Sequence, residues 1–285
     1  MLKRIDFISI TLSVIIFCLA SQSNAQVKEK TIEMNSAVNI ANAEQFTLFS
    51  SNTQQEYKIY IHLPTSYSRS DTTYPVYYGL DADIGFGMIS EMSTLLAFRK
   101  EMPEVIIVGI AYGAYPGQEG NNRMRDYTPT VVEEYDTSGA AENFFNFIRD
   151  ELIPVIDSKY RTDPSDRTLS GASLSGLFSL YVLFEHPGIF NRYKISSPSL
   201  WWDDGVILEY EKKYSEEYSD LPANVFLSVG DVERTVVSWK KLVKVLEDRN
   251  YKSLKLTTMI FDDAPHLTAC ILAGVRGIKA VFVDD

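Results

Sequence analysis

The segment from Arg167 to Leu183 constrains the fold of this chain more than any other stretch. A short apolar run leads into Gly171-Ala-Ser-Leu-Ser-Gly176, and an apolar segment of helical character follows at once. A serine on such a tight strand-to-helix turn has its hydroxyl pushed out at the carboxyl end of the strand. The usual pattern is G-x-S-x-G, whereas here Ser175 takes the last position. The pattern predicts Ser173 as a nucleophile, although small residues around a serine also occur in ordinary turns.

The N terminus has the three parts of a secretory signal peptide. Lys3 and Arg4 are its positive charges, residues 7–20 form an apolar run, and Ser23-Asn-Ala25 offers small residues for cleavage. The apolar run is shorter than the roughly 20 residues that a membrane-spanning helix needs. We therefore predict that residues 1–25 are removed from a periplasmic or secreted protein, with an uncleaved N-terminal anchor as the alternative.

Charge and cysteine content narrow the classes of partner. The net charge is −11, and loss of Lys3, Arg4 and Asp6 would remove two positive charges and one negative charge, leaving −12. Such acidity argues against nucleic acid and anionic membrane surfaces as partners, and we expect no membrane insertion after cleavage.

Cleavage would leave Cys270 as the one remaining cysteine, so no internal disulfide could form and stability must come from the core. We expect a flexible leader at 26–42 and one catalytic domain at 43–285.

Apolar runs alternate with helical patterns along the rest of the chain. This alternation predicts an α/β fold with a doubly wound, mostly parallel sheet and helices on both faces. Ser173 would then follow a middle strand, where open α/β sheets place their sites. The expected strands are 57–63, 75–80, 105–110, the run before Ser173, 193–196, 225–229 and 254–261; the expected helices are 86–100, 140–160 with a kink at Pro154, the segment after Ser173, 236–249 and 269–282.

A serine nucleophile needs a base, and histidine is the usual base near neutral pH. The chain has three histidines. We expect His62 on the polar face of a strand, at the surface. His186 lies 13 residues beyond Ser173, about 20 Å along the same helix, which it would cap. His266 follows a strand in a short loop before the last helix, so it is the predicted base, the alternative being a loop histidine without a task.

The base in turn needs an acid that holds its tautomer. In hydrolases that present a serine on this kind of turn, the acid and then the histidine follow along the chain. The loop after residues 225–229 offers two carboxylates, Asp231 and Glu233. Either could be the acid, and the other would be a solvated loop residue or a helix N-cap.

Two backbone N–H groups are needed to bind the developing oxyanion. One would come from Leu174, directly after the nucleophile. The other would come from the loop after Leu80, where Ala82 and Asp83 are the candidates and a plain polar turn is the alternative. Because the sequence shows no thiolate cluster and has few histidines, no metal or organic cofactor is implied.

Eight short segments of the chain together form a recognisable set. They are Tyr57–Pro64, Tyr74-Pro-Val76, Leu80–Asp83, Arg125–Pro129, Glu151–Pro154, Gly171–Gly176, His186-Pro187 and Ser197–Trp202. With these segments the chain resembles the putative esterase family of α/β-hydrolases, which includes enterochelin-type siderophore esterases, feruloyl esterases and acyl-glycan esterases. The likeness covers about residues 44–283 and is greatest toward the periplasmic siderophore esterases. It implies an α/β-hydrolase fold and a serine esterase.

The resemblance also implies roles for single residues. The family acid lies about three residues past the loop glycine, which favours Glu233 over Asp231. His266 matches the family histidine, which is followed closely by Thr or Ser. Members usually have glycine where this chain has Ser175, and often where it has Ala82. Ser175 is small enough for activity to survive, whereas Ala82 leaves the oxyanion donor less defined.

Two pairs of residues are candidates for substrate binding. Arg123 and Arg125 could hold an anionic or catecholate substrate, unless one of them pairs with Asp126 and fixes a loop. Trp201 and Trp202 could line an aromatic or sugar pocket, or pack over the sheet. We predict an exported serine esterase acting on a siderophore lactone, an acylated or feruloylated glycan, or a simple ester. An acyltransferase with the same triad and an inactive binding protein of the same fold are the alternatives.

Overall fold

A computed structural model of the protein describes residues 39–283, so the predicted signal peptide and residues 26–38 of the predicted leader lie outside it. The described residues form one eight-stranded sheet of order β1-β2-β4-β3-β5-β6-β7-β8. The strands are β1 Ala43–Ser50, β2 Gln55–His62, β3 Tyr74–Gly79, β4 Ile106–Ala111, β5 Thr162–Ala172, β6 Arg192–Ser196, β7 Asn224–Gly230 and β8 Lys255–Phe261. The pairs β1–β2 and β2–β4 are antiparallel, and the other neighbours are parallel. This confirms the predicted mostly parallel α/β sheet.

Helices cover both faces of the sheet, as expected for a doubly wound fold. On one face, apolar side chains of β2 and β5 pack with α5 in the larger core cluster. On the other face, α1 and α8 cover β3 and β4. Within residues 39–283 no helix is both long and apolar enough to span a membrane. The helices are α1 Ala82–Phe98, α2 Arg123–Asp126, α3 Ala141–Asn146, α4 Ile153–Lys159, α5 Leu174–Glu185, α6 Ile207–Glu217, α7 Val236–Arg249 and α8 His266–Phe282.

The segment predicted as one kinked helix over 140–160 is divided differently. Between α3 and α4 the backbone makes a π-helical segment, Phe147–Leu152. Pro154 lies in the first turn of α4, where a missing N–H is tolerated. The irregularity therefore precedes the proline, because the proline ring and its missing N–H disturb the hydrogen bonds of the preceding turn.

Candidate active site

Ser173 lies between the end of β5 and the start of α5, on a strained turn. Its backbone has φ 61° and ψ −120°, a region that side-chain-bearing residues rarely adopt. A Cβ atom at Gly171 would overlap the carbonyl oxygen of Ser175, and one at Gly176 would lie 3.1 Å from the Cα of Pro198. The turn therefore requires glycine at position 171, while a side chain at position 176 would press against Pro198.

His266 is hydrogen-bonded to a buried carboxylate. Its Nδ1 is 2.6 Å from Oε2 of Glu233, whose side chain comes from the loop after β7. The other oxygen, Oε1, accepts hydrogen bonds from Ser197 Oγ at 2.6 Å and from the Gly230 N–H at 2.7 Å. Asp231 is exposed and instead accepts from the Ala264 N–H at 3.2 Å. The structure thus brings Glu233, and not Asp231, to His266.

The loops after β7 and β8 are held closely together at this point. A Cβ at Gly230 would overlap the carbonyl oxygen of Ala264. His266 itself is the first residue of α8, after the N-cap Pro265, whereas the sequence had placed it in the loop before that helix. A position at the start of a helix, beside a second anchored loop, fixes where the imidazole points.

The predicted oxyanion residues stand at two helix N termini. Leu174 is the first residue of α5, and Ala82 and Asp83 are the first two residues of α1. The first N–H groups of a helix have no partner within it, and the helix dipole makes this end positive. The Asp83 carboxylate accepts from the Tyr112 N–H at 2.7 Å and the Gly113 N–H at 2.9 Å, so it fixes the loop after β4.

Ser173 and His266 both line two cavities. One has a volume of about 530 Å³ and lies between α1, α8 and the sheet; we call it the α1–α8 pocket, and its wall includes Ala82, Leu267 and Ile271. The other has a volume of about 680 Å³ and lies beside Trp201, and we call it the Trp201 pocket. The two cavities meet at Ser173, so an ester whose carbonyl lay there would have one cavity for each of its two arms.

Arg123 reaches both cavities but is already paired. Its Nε and Nη2 each donate to the Asp81 carboxylate at 2.9 Å. Burial alone lowers the pKa of Arg123, but the hydrogen bonds and charge of Asp81 raise it above its usual value. Ser175, which replaces the usual glycine, donates its hydroxyl to Asp81 at 2.7 Å. The unusual serine therefore joins the nucleophile turn to Asp81, the N-cap of α1.

Arg125 lies outside both cavities. Its Nε donates to Asp126 at 2.7 Å, which is the loop-fixing pairing that the sequence left open. The buried Asp126 also accepts from the hydroxyls of Tyr57 and Tyr112. Burial raises the pKa of Asp126 above its usual value, while Arg125 opposes that shift.

The two tryptophans have different surroundings. Trp202 is 1% exposed, and its Nε1–H donates to Thr130 Oγ1 at 3.1 Å, so it packs in the fold. Trp201 is 50% exposed and lines the Trp201 pocket. Only Trp201 of the pair therefore has a face available to a substrate at Ser173.

The other histidines stand apart from Ser173. His186 follows α5 as its C-cap, and its Nε2 is 2.8 Å from Glu142 Oε2. The prediction that His62 lies at the surface is wrong: it is 4% exposed. Its face of β2 is covered by α1, where Thr94 contacts its Nε2 at 3.5 Å. The alternation of apolar and polar residues along β2 could not show that helices cover the sheet on both faces.

Sequence reasoning missed several residues that build the site. Asp81 was part of a recognised motif, but no signal marked it as the partner of Arg123. Ser197, at φ 44°, donates a hydrogen bond to Glu233 from a loop that entered the sequence analysis only as part of the family resemblance.

Within residues 39–283 no group of His, Cys, Asp and Glu residues is arranged to hold a metal ion.

Comparison with known proteins finds a matching family and several siderophore esterases of similar sequence. The Putative esterase family matches residues 50–253. Ferri-bacillibactin esterase BesA of Bacillus subtilis is 33% identical over 229 residues, 73% of this chain and 78% of BesA. The siderophore triacetylfusarinine C esterase of Aspergillus fumigatus is 27% identical over 212 residues, 71% of this chain and 72% of that protein.

Solved structures are similar over a larger part of the chain. The BES protein from Bacillus cereus superposes with a TM-score of 0.80 at 32% identity, covering 87% of this chain and 98% of that one. An IroE-like serine hydrolase from Shewanella oneidensis gives a TM-score of 0.74 at 25% identity, covering 85% and 82%. The described fold is therefore that of siderophore-esterase-like α/β-hydrolases.

Proposed function

The chain belongs to the Putative esterase family and is a carboxylic ester hydrolase, and from this premise we propose that it is an exported serine esterase acting on siderophore esters. Ser173 is the nucleophile, His266 the base and Glu233 the acid. The observation that carries this proposal is the 2.6 Å contact between His266 Nδ1 and the buried Glu233, with His266 and the strained Ser173 lining the same cavities.

Each residue has one task in the proposed reaction. His266 Nε2 takes the hydroxyl proton as Ser173 Oγ bonds to the ester carbonyl carbon, and the N–H groups of Leu174 and of Ala82 or Asp83 hold the oxyanion. The carbon–oxygen bond to the alcohol then breaks, and the alcohol leaves with the proton from Nε2. Water attacks the acyl-enzyme, gives its proton to Nε2, and the acid departs as Ser173 regains its hydrogen.

The siderophore class is supported by similarity to two siderophore esterases and by Arg123, a cation that lines both cavities. Its bidentate pairing with Asp81 offsets much of the positive charge but holds the guanidinium in a fixed position, from which its other N–H groups can donate hydrogen bonds to a catecholate or other oxygen-rich substrate. Esters of acylated or feruloylated glycans are the competing class of substrate.

Export to a periplasm or to the medium is part of the proposal. Mass spectrometry of the native protein tests it, because cleavage of the signal peptide should leave an N terminus at Gln26.

Hydrolysis of p-nitrophenyl acetate tests the nucleophile. Ser173→Ala should abolish turnover. The matched control is Ser199→Ala, because the Ser199 hydroxyl lies 3.4 Å from Ser173 Oγ, and this variant should keep its turnover within tenfold of wild type. Turnover that survives in Ser173→Ala, or that disappears only in Ser199→Ala, contradicts the assignment. A fluorophosphonate label on Ser173 distinguishes a selective enzyme from an inactive binding protein.

The substrate class is tested by comparing kcat/KM on a siderophore trilactone with kcat/KM on feruloylated and acetylated glycans. A clear preference for the trilactone supports the proposal, and a preference for the glycan esters replaces it. Added acceptor alcohols test acyl transfer, because a transferase would form new esters where a hydrolase forms free acid.

A further inference from the structure

Lys194 is a buried cation that the proposed reaction does not use. It lies on β6, is 7% exposed and lines the α1–α8 pocket. Burial lowers the pKa of Lys194 to about 8, and the neighbouring sulfur of Cys270 opposes this shift. Among residues 39–283 no carboxylate forms an ion pair with Lys194, and a buried ammonium without such a partner is costly, so its retention beside a nucleophile calls for an explanation.

The position of Lys194 places it at the floor of this pocket. In the sheet it pairs with Ser170, three residues before Ser173. At about 3.3 Å per residue, its Cα stands roughly 10 Å below the nucleophile. Its stem is held by α8, because a Cβ at Gly277 would lie 2.8 Å from Lys194 Cγ.

The walls between Lys194 and the opening of the pocket are mostly apolar. They include Ile84 and Met88 of α1 and Leu267 and Ile271 of α8, four side chains that are partly exposed. A group that fills this space must be apolar along its length. At its inner end it meets an ammonium, which forms its strongest hydrogen bonds with anionic oxygen.

We propose that the α1–α8 pocket is the acyl-binding subsite and that Lys194 binds an anionic oxygen at the far end of the acyl group. This inference rests on the proposed function and specifies its substrate class. The acyl arm is the one assigned because it stays bonded to Ser173 while the alcohol leaves with a proton from His266. A pocket that ends inside the fold suits the arm that stays, and the Trp201 pocket suits the arm that leaves.

The test compares two esters that differ only at the end of the acyl chain. These are 4-nitrophenyl hexanoate and mono-4-nitrophenyl adipate, which share a leaving group and a six-carbon acyl chain. Lys194→Met should lower kcat/KM for the adipate ester by about tenfold or more, mainly through KM, and keep the hexanoate ester within about twofold. Lys240→Met, at an exposed position on α7, is the control for the loss of one positive charge.

The outcomes separate this inference from the proposed function. If Lys194→Met lowers both esters equally, or changes neither, the anion subsite is wrong while the esterase stands. If the wild-type protein hydrolyses no ester, the proposed function fails first. Titration calorimetry with free adipate gives a readout without turnover, and equal binding to wild type and Lys194→Met overturns the inference. Lys194→Gln, which keeps a donor but no charge, serves if the methionine variant does not fold.

Discussion

Replacing Glu233 by glutamine changes one atom of the site and should remove nearly all activity. The Oε1 atom accepts hydrogen bonds from both Ser197 and Gly230, so the amide oxygen of Glu233→Gln must take that place. Its NH₂ group then faces Nδ1 of His266, 2.6 Å away in the native contact. Nδ1 must accept, the ring proton moves to Nε2, and Nε2 can no longer take the proton of Ser173.

The size of this effect follows from the wrong tautomer. The corresponding change in the serine protease triad lowers kcat by about 10⁴. At about 1.36 kcal/mol per tenfold, that is roughly 5.5 kcal/mol of lost transition-state stabilisation. Asp231→Asn is the matched control, because asparagine still offers an oxygen to the Ala264 N–H. We expect this control to stay within about twofold of wild type.

The assay is kcat for p-nitrophenyl acetate, measured beside the melting temperature of each variant. A fall of three to four orders of magnitude in Glu233→Gln, with an unchanged melting temperature, is the expected result. Equal losses in the two variants, or a larger loss in Asp231→Asn, would refute the reasoning.

Three further predictions concern stability and binding. Burial lowers the pKa of His62 in the folded protein, so at a pH below its unfolded value of about 6.5 the unfolded chain binds more protons than the folded chain. The free energy of unfolding should therefore fall as the pH drops from 7 to 5. In urea titrations His62→Gln should make this fall smaller. Arg125→Met leaves the buried Asp126 carboxylate without its cation and should cost about 3–5 kcal/mol in the same titrations, whereas a loss below 1 kcal/mol would contradict this account. Trp202→Ala should cost about 3–5 kcal/mol of stability, while Trp201→Ala should raise KM and leave the melting temperature nearly unchanged; the reverse pattern would show that the two surroundings are misassigned.

Apolar runs predicted β3, β4, β6 and β7 to within one residue at each end, since strands covered on both faces must be apolar throughout. The central strand β5 begins earlier than its apolar run, at Thr162, because its first half is polar and partly exposed. The edge strand β1 was missed, because an edge strand needs little burial and its residues alternate weakly. Helix α6 was missed for another reason. Its buried face includes Glu211, which is paired with Arg249 and therefore breaks the apolar period on which a helix prediction depends.

The candidate site was predictable where chemistry limits the choice of residue. Ser173 and His266 follow from a motif and from chain order, and chain order limits the acid to one short loop. The residue pattern alone could not decide between Asp231 and Glu233, because that choice depends on how two loops pack together at Gly230, and only the family resemblance favoured Glu233. Contacts between distant segments, such as Arg123 with Asp81, leave no local pattern to read.

The hydroxyl of Ser175 has a mechanical consequence. It accepts a hydrogen bond from the Ala172 N–H at the end of β5 and donates one to Asp81, the N-cap of α1. These two hydrogen bonds connect the turn that carries Ser173 to the start of α1, which carries two of the predicted oxyanion donors. Substrates of different size would then be accommodated at Trp201, which is 50% exposed and lines the Trp201 pocket. The Ser173 turn and the start of α1 are expected to stay fixed, so substitutions that widen the range of accepted esters should be sought around Trp201.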